Sequence, residues 1–488
     1  MRTRISLLIL AAFAALSCGR GVTDPVPYGL PPAIFPDYKE VTVPATIAPL
    51  DFALGGADRL DVTLTGDDGT TLHIRGPVAK FPKRAWKRLL RANRDASVRV
   101  DLYGRQDGKW VGYAPFRIYV SGDAIDWGLA YRLILPSYEG MGKVGIYQRN
   151  LSTFRQRELI STEEVNGCIN CHAFNQCDPA DLSLHVRGSH GATLIRQNDR
   201  MKAYTTKTDS TISSCVYPYW HPSGNYIAYS NNTTRQGFYQ RQENVLEVFD
   251  YASDIVVYDI RRGTLLSCPL LKGDGAWETF PAFSPDGRTL YFCCAAPKEI
   301  PAQLYEICYN LCSISFDPET GTFGDHVETL VDAAANGFTI SFPRPSFDGR
   351  YLMYTISRFG NFTIWHNDAD LCLLDLETGE SRLLEKVNSP FAESYHNWSS
   401  NSRWFVFGSR RDDQTHTRAY ICHLDADGNP GKPFLLPQKS PRQYYDVMLM
   451  SYNIPEFITE PVGLSSHKAW RLLRRGKKEQ FKYENQGL

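Results

Sequence analysis

Two thiols three residues apart, with an imidazole directly after the second, form the group best suited to chemistry in this chain: Cys168-Ile169-Asn170-Cys171-His172. At that spacing both sulfurs can add to the vinyl groups of a haem while the imidazole takes the iron. Cys168 and Cys171 are therefore the expected anchors of one haem c, and His172 the expected proximal ligand of its iron. For the sixth position, His185, His190 and Met201 come next along the chain. His185 falls on an alternating strand, where a packed residue is expected. His190 lies in Gly188-Ser189-His190-Gly191, free to reach, and is preferred over Met201. An open sixth position is the alternative. Two other readings stand beside haem. Cys168, Cys171 and Cys177 form a structural disulfide or a vestigial site, or they join His172 in holding a zinc ion.

Other candidate chemistry fails on its residues. No G-x-S-x-G occurs; Gly463-Leu464-Ser465-Ser466-His467 does not match it. No glycine-rich phosphate loop joins a strand to a helix. The acid pairs Asp67-Asp68 and Asp412-Asp413 fit turns. No catalytic residue is expected. Cys372 and Cys422 each stand three residues before a repeated Asp, so they are expected in the core. Cys293, Cys294, Cys308 and Cys312 crowd one segment and leave room for one disulfide there.

The elements that must position these residues follow from length and pattern. The chain has 488 residues, enough for two or more domains. Lys+Arg and Asp+Glu are both 53, so no global basic field exists to draw in nucleic acid, and none is expected as a partner. Tyr (27), Phe (25) and Gly (37) outweigh Met (6), a lean towards β-structure.

Residues 1–17 read as an export signal: Arg2 and Arg4 precede an apolar stretch from Ile5 to Ala15. Ala15-Leu16-Ser17-Cys18-Gly19 resembles a bacterial lipoprotein processing site, with Cys18 becoming the lipidated first residue and membrane anchor. An ordinary secretory peptide cleaved nearby is the alternative. Residues 18–36, rich in Gly and Pro, are expected to be a flexible tether. Export matters because disulfides belong outside the cytoplasm, as does covalent haem.

Residues 37–122 read as a β-sandwich-like domain. Leu60 to Leu64 and Thr71 to Ile74 flank the turn Gly66-Asp67-Asp68-Gly69, and a second pair flanks Asp107-Gly108. One helix opens at Pro82, with Trp86, Leu89 and Leu90 on a single face.

A repeat organises the rest. Tyr217 to Ser230, Phe280 to Cys293, Phe342 to Thr355 and a degenerate copy from Tyr395 to Gly408 share one shape, with turns at Gly224, Gly287, Gly349 and Ser402. A second strand and turn follows each, with an Asp and a Gly at Asp259/Gly263, Asp317/Gly321, Asp375/Gly379 and Asp425/Gly428. One repeat thus supplies about four strands, as a propeller blade does. Two irregular blades are expected before these four, and strands within Tyr444 to Tyr452 are expected to close the ring. The domain is placed at 123–462, with six blades, or seven if the ring borrows from the sandwich. The C-x-x-C-H is expected in an inserted loop at 161–181. The basic tail at 463–488 is read as a solvated terminus or as a helix touching anionic lipid.

Phe283-Ser284-Pro285-Asp286-Gly287-Arg288 resembles the repeat of TolB-type, WD40-like propellers, and Pro345 to Gly349 and His221 to Gly224 are looser versions. The layout is also similar to Bacteroidetes outer-membrane lipoproteins that combine such a propeller with a cytochrome-type motif. That resemblance implies a lipid-anchored envelope protein, using its haem in electron transfer or redox sensing. The alternative is a haem-free scaffold that docks an envelope partner on one propeller face, with its CxxC as a structural disulfide. Gly19-Arg20-Gly21-Val22-Thr23 lacks the acidic cluster of surface-exported lipoproteins, so the periplasmic side of the outer membrane is expected.

Overall fold

A computed structural model describes residues 22–135, 142–239, 244 and 246–483. The export signal and Cys18 lie outside them. The chain divides into two compact units.

The smaller unit takes the chain up to Glu40, then Pro49–Val120 and Gln438–Tyr445. Its main sheet runs in the order Val26–Pro27, Lys109–Gly112, Ala96–Gln106, Arg59–Gly66, Thr71–Gly76, with Phe116–Ser121 also pairing with Ala96–Gln106. Both expected hairpins form, with Asp107 and Gly108 at positive φ. The helix Lys83–Ala92 buries Trp86, Leu89 and Leu90, as its 3.6 period demands. Two expectations are corrected. From Val26 the supposed tether is structured: Val26–Pro27 pairs with Lys109–Gly112, and Ile34–Phe35 pairs with Ala53–Leu54. A proline-rich segment fits a sheet edge as readily as a linker, because an edge strand can spare an N–H. The helix Pro441–Val447 also falls largely within this unit, although the sequence places it in the propeller.

The larger unit is a β-propeller. Six sheets of four or five strands follow one another. Their innermost strands are Ser451–Ile458 in the first, then Cys168–Asn175, Val216–Trp220, Trp277–Phe283, Thr339–Pro345 and Glu393–Trp398. Each inner strand packs on the next and the last packs on the first, which closes the ring. Closure comes from Ser451–Ile458 pairing with Gly128–Ile134, slightly later in the chain than the sequence suggested.

The repeat is legible in its turns. Gly224, Gly287 and Gly349 have φ of 70, 72 and 76°, a conformation that penalises a Cβ. Ser284 donates to Asp286 and accepts the Thr289 N–H; Ser346, Asp348 and Tyr351 repeat the arrangement one blade on.

The basic tail is built into the ring. The helix Ser466–Arg475 lays Ala469 and Leu473 into the core of the first two blades. Lys478–Gln480 then pairs with Arg200–Thr205 of the second blade, and Lys482–Tyr483 pairs with Thr264–Leu266 of the third. Between them Phe481 is buried against Tyr204 and Tyr258. The solvated reading of this segment is therefore corrected for its described part: one aromatic and two short strand pairings hold it.

Candidate functional site

The inserted loop expected at 161–181 is absent. After the short helix Thr162–Val165, Cys168–Asn175 is the inner strand of the second blade, paired with Asp178–Arg187. The pairing steps from Asn170–His185 to His172–Leu184, so Cys171 is the extra residue of a bulge.

The other five inner strands carry a bulge at the equivalent place, at Tyr217-Pro218, Phe280-Pro281, Phe342-Pro343, Tyr395-His396 and Ile454-Pro455. Cys171-His172 is therefore the second blade's version of an aromatic-proline step. Proline suits that step because a bulge already interrupts the ladder and a missing N–H costs little. Tyr217, Phe280, Phe342, Tyr395 and Ile454 all have φ between 45 and 54°. For bulky residues this conformation is strained, at about 1–3 kcal/mol each. Here it turns each side chain towards the axis. Phe280 and Phe342 lie 4.1 Å apart, Tyr217 and Phe280 4.7 Å, and Phe342 and Tyr395 4.9 Å, so the aromatic rings plug the channel.

The plug separates two cavities. Cys171, Tyr217, Tyr395 and Ile454 line both of them. The larger, about 530 Å³, is lined by Cys168, Asn170 and His185, with Arg132 bridging Asn170 and Asn453. The smaller, about 60 Å³, lies at the base of a funnel and is lined by His172 and Cys177.

This geometry tests the haem. Cys168 faces one cavity and the His172 imidazole the other, so both thiols and the imidazole do not meet on one porphyrin. His172 is 3% exposed, and burial holds its pKa down at about 3. His190 lies in the hairpin turn between the next two strands, at the Cys168 end, where its carbonyl accepts Lys478 Nζ. It lines neither cavity. His185 is a packed residue, as its alternation suggested, with Nδ1 2.9 Å from Thr193 Oγ1. The residues present do not fit a c-type haem. Zinc fares no better, since Cys177 and Cys168 face different cavities, and no metal-holding cluster of three or more His, Cys, Asp or Glu occurs among the described residues. The eleven described cysteines are all free thiols. Cys372 and Cys422 are buried on strands, as their position before the repeated Asp required.

The smaller cavity holds the residues that sequence reasoning missed. Two places after each bulge residue stand Ala173, Tyr219, Ala282, Arg344, Asn397 and Glu456, one per blade. Arg344 Nε donates to Asn397 Oδ1 at 3.3 Å and Nη1 to the Pro343 carbonyl at 2.9 Å, and the guanidinium lies 5.3 Å from the Tyr219 ring centre. Asn397 Nδ2 donates to the Pro455 carbonyl. Glu456 Oε2 accepts the Phe174 N–H, and Oε1 stands 3.5 Å from His172 Nε2. Burial raises the Glu456 carboxyl to about 8. Neither ring nitrogen of His172 completes a hydrogen bond, nor does Nδ1 of His396. One position further on, Phe174, Trp220, Phe283, Trp398 and Phe457 form the wall. Trp220 and Trp398 each donate to the carbonyl of the neighbouring blade's floor residue, Ala173 and Arg344. Aligning the repeats on their turn glycines would have exposed this tier, because it is the position that varies. Glu456 lay outside the recognised copies.

No family model matches the chain, and no curated protein matches it. Solved structures similar to it include prolyl endopeptidase (12% identity, TM-score 0.34, covering 63% of this chain and 42% of that one). Dipeptidyl peptidase 4 from Porphyromonas gingivalis is another (10%, 0.31, 71% and 57%). A third is a DUF4784 family protein from Bacteroides caccae ATCC 43185 (11%, 0.30, 86% and 98%). The chain thus spans about half the length of the two peptidases. Likenesses this loose carry no argument; the propeller rests on its own sheet order and ring closure.

Proposed function

We propose that this chain is a haem-free interaction propeller of the cell envelope, resembling TolB-type propellers, that docks a partner at the mouth of its funnel. The observation that carries the reading is the floor tier. Four of its six positions hold Tyr219, Arg344, Asn397 and Glu456, chemically distinct groups in a repeat that otherwise keeps its turns and bulges uniform. Withdrawing a cation and a carboxyl from water at the axis is costly to a ring that gains only packing from them, which favours a ligand there. The sequence of the first 18 residues supports export and anchoring at Cys18, with the periplasmic side of the outer membrane as the address.

Two measurements test the reading. Intact mass and a visible spectrum of protein purified from its own host should show no covalent haem; a mass raised by one haem with a Soret band that survives denaturation overturns the haem-free part. A photo-crosslinking residue at Phe347, on the funnel rim, should trap a discrete envelope protein in living cells. The same residue at Leu383, exposed on the strand Ser381–Leu383, should not. Equal trapping at both positions, or none at Phe347, rejects the funnel as the docking face.

A further inference from the structure

The funnel floor holds a cation without a matching anion. Among the described residues no carboxylate lies within ion-pair distance of Arg344; its hydrogen-bond partners are an amide oxygen and a main-chain carbonyl, and Tyr219 packs against its face. A half-buried guanidinium in that setting retains donors and positive charge to offer. Every other polar group around it supplies donors or is neutral. The Tyr219 hydroxyl is held protonated by burial. The imidazoles of His172 and His396 are neutral and at least 97% buried; His396 Nε2 pairs with the Met353 carbonyl, while His396 Nδ1 and both ring nitrogens of His172 complete no hydrogen bond. The nearest carboxyl, Glu456, is itself protonated at neutral pH, which makes it a donor.

We propose that the funnel floor binds a single carboxylate carried on an apolar or aromatic stem, with Arg344 as the ion-pairing residue and Glu456 and Tyr219 as hydrogen-bond donors. This inference rests on the reading of the funnel mouth as the docking face. Size supports a lone head group: about 60 Å³ accommodates a carboxylate or a few waters. The stem is left against Phe283, Phe347 and Trp398 above the floor. A carboxylate of this kind ends a peptide chain or a small aryl acid, and the chemistry at the floor is the same for both.

The site carries a pH signature. The groups around Glu456 are Cys171, His172 and Cys177 from the second blade, with Asp126 behind Cys177, Tyr219 from the third, Arg344 from the fifth and His396 from the sixth. Arg132 of the first blade faces the other cavity. Burial holds His172 and His396 down near 3 and pushes Cys177 and Tyr219 well up, so of these five groups Glu456 is the one that changes charge between pH 6 and 9. Its ionisation near 8 turns a donor into a competing anion.

Calorimetric titration of the full chain with N-acetyl-Gly-Phe, its C-terminal amide and phenylacetate tests the site. At pH 6.5 the acid should bind at least about 30-fold more tightly than the amide, and Arg344→Gln should lose about the same factor, the usual cost of removing one partner of a buried charged pair. Affinity for the acid should fall as pH rises through 8, and Glu456→Gln should flatten that slope. Tighter binding of the dipeptide than of phenylacetate identifies a chain end as the natural ligand; the reverse identifies a free small acid; both support the site. Equal binding of acid and amide, no binding at millimolar concentration, or full binding by a folded Arg344→Gln overturns it. If Arg344→Gln fails to fold, the acid–amide comparison on the unsubstituted protein decides. Loss of carboxylate binding with trapping at Phe347 intact sinks this inference alone, whereas loss of that trapping sinks the docking face beneath it.

Discussion

Cys171 and Phe280 occupy the same place in two blades, yet one belongs to a motif that attracts attention and the other does not. The difference in setting, not in residue type, decides what the thiols can do. Cys168 is the one exposed cysteine of the eleven described, while Cys171 is sealed beside the aromatic plug. Brief iodoacetamide treatment of the reduced, folded protein should therefore alkylate Cys168 first and leave Cys171 unmodified until denaturant is added, as read by peptide mass. Simultaneous modification of both would show that the plug opens freely. The repeated turns give a second contrast. A Cβ added at Gly287 would meet His221 Nε2 at 2.1 Å, whereas at Gly349 it meets only Pro285 Cγ at 4.0 Å. Both positions carry the penalty of a positive φ, about 1 kcal/mol. Gly287→Ala should cost at least about 1 kcal/mol more than Gly349→Ala in urea unfolding, because the His221 ring, bonded to the Gly287 carbonyl, must also move.

At the scale of elements, the tail does more than end the chain. Phe481 stacks on Tyr258 at 3.8 Å between two strand additions that tie the second blade to the third. Phe481→Ala should destabilise the propeller by about 3 kcal/mol, and truncation after Gly476 should lower the thermal midpoint further. A truncated chain that melts with the intact one would mean the pairings are incidental. These additions illustrate which elements the sequence discloses. Alternation, turn glycines and the Ser-Asp contacts are local, so the four regular blades and the hairpins of the smaller unit could be read directly. The C-x-x-C-H was misplaced into a loop because a motif carries no information about its neighbours' register. Only alignment with Phe280-Pro281 and Tyr395-His396 shows Cys171-His172 to be a bulge on an inner strand. Glu456 and Arg344 are 112 residues apart in sequence and meet only through ring closure, a long-range fact that no spacing rule contains.

Across the whole molecule, buried ionisable groups set opposing limits on stability. Burial raises Asp51 and Asp250 to about 7 and Glu278 and Glu456 to about 8. Each is protonated in the folded state over a range where the unfolded chain is ionised. Their contribution is complete below the unfolded carboxylate pKa of 3.8 to 4.5, and it is lost as pH rises towards 7 to 8. His172 and His396 near 3 and His185 near 4 act the other way: their neutral burial costs nothing above 6.5 and becomes a penalty as pH falls below it. The four carboxyls outweigh the three histidines above pH 5, so thermal stability should peak at about pH 4.5 and decline on both sides, and Glu456→Gln should soften the alkaline decline. A midpoint that climbs steadily to pH 9 would contradict the protonated carboxyls.

The order in which the molecule can be assembled follows from its closure. The first blade receives its innermost strand from Ser451–Ile458, and the second and third receive their outer edges from residues still later. A nascent chain must therefore make about 320 residues beyond Gly128–Ile134, up to Ser451–Ile458, before its first blade has an inner wall. The early blades wait with unpaired strand edges, a hazard during synthesis and in crowded compartments. The same delay keeps the ring unlocked, and the polypeptide free to be unfolded or moved, until Ser451–Ile458 has arrived.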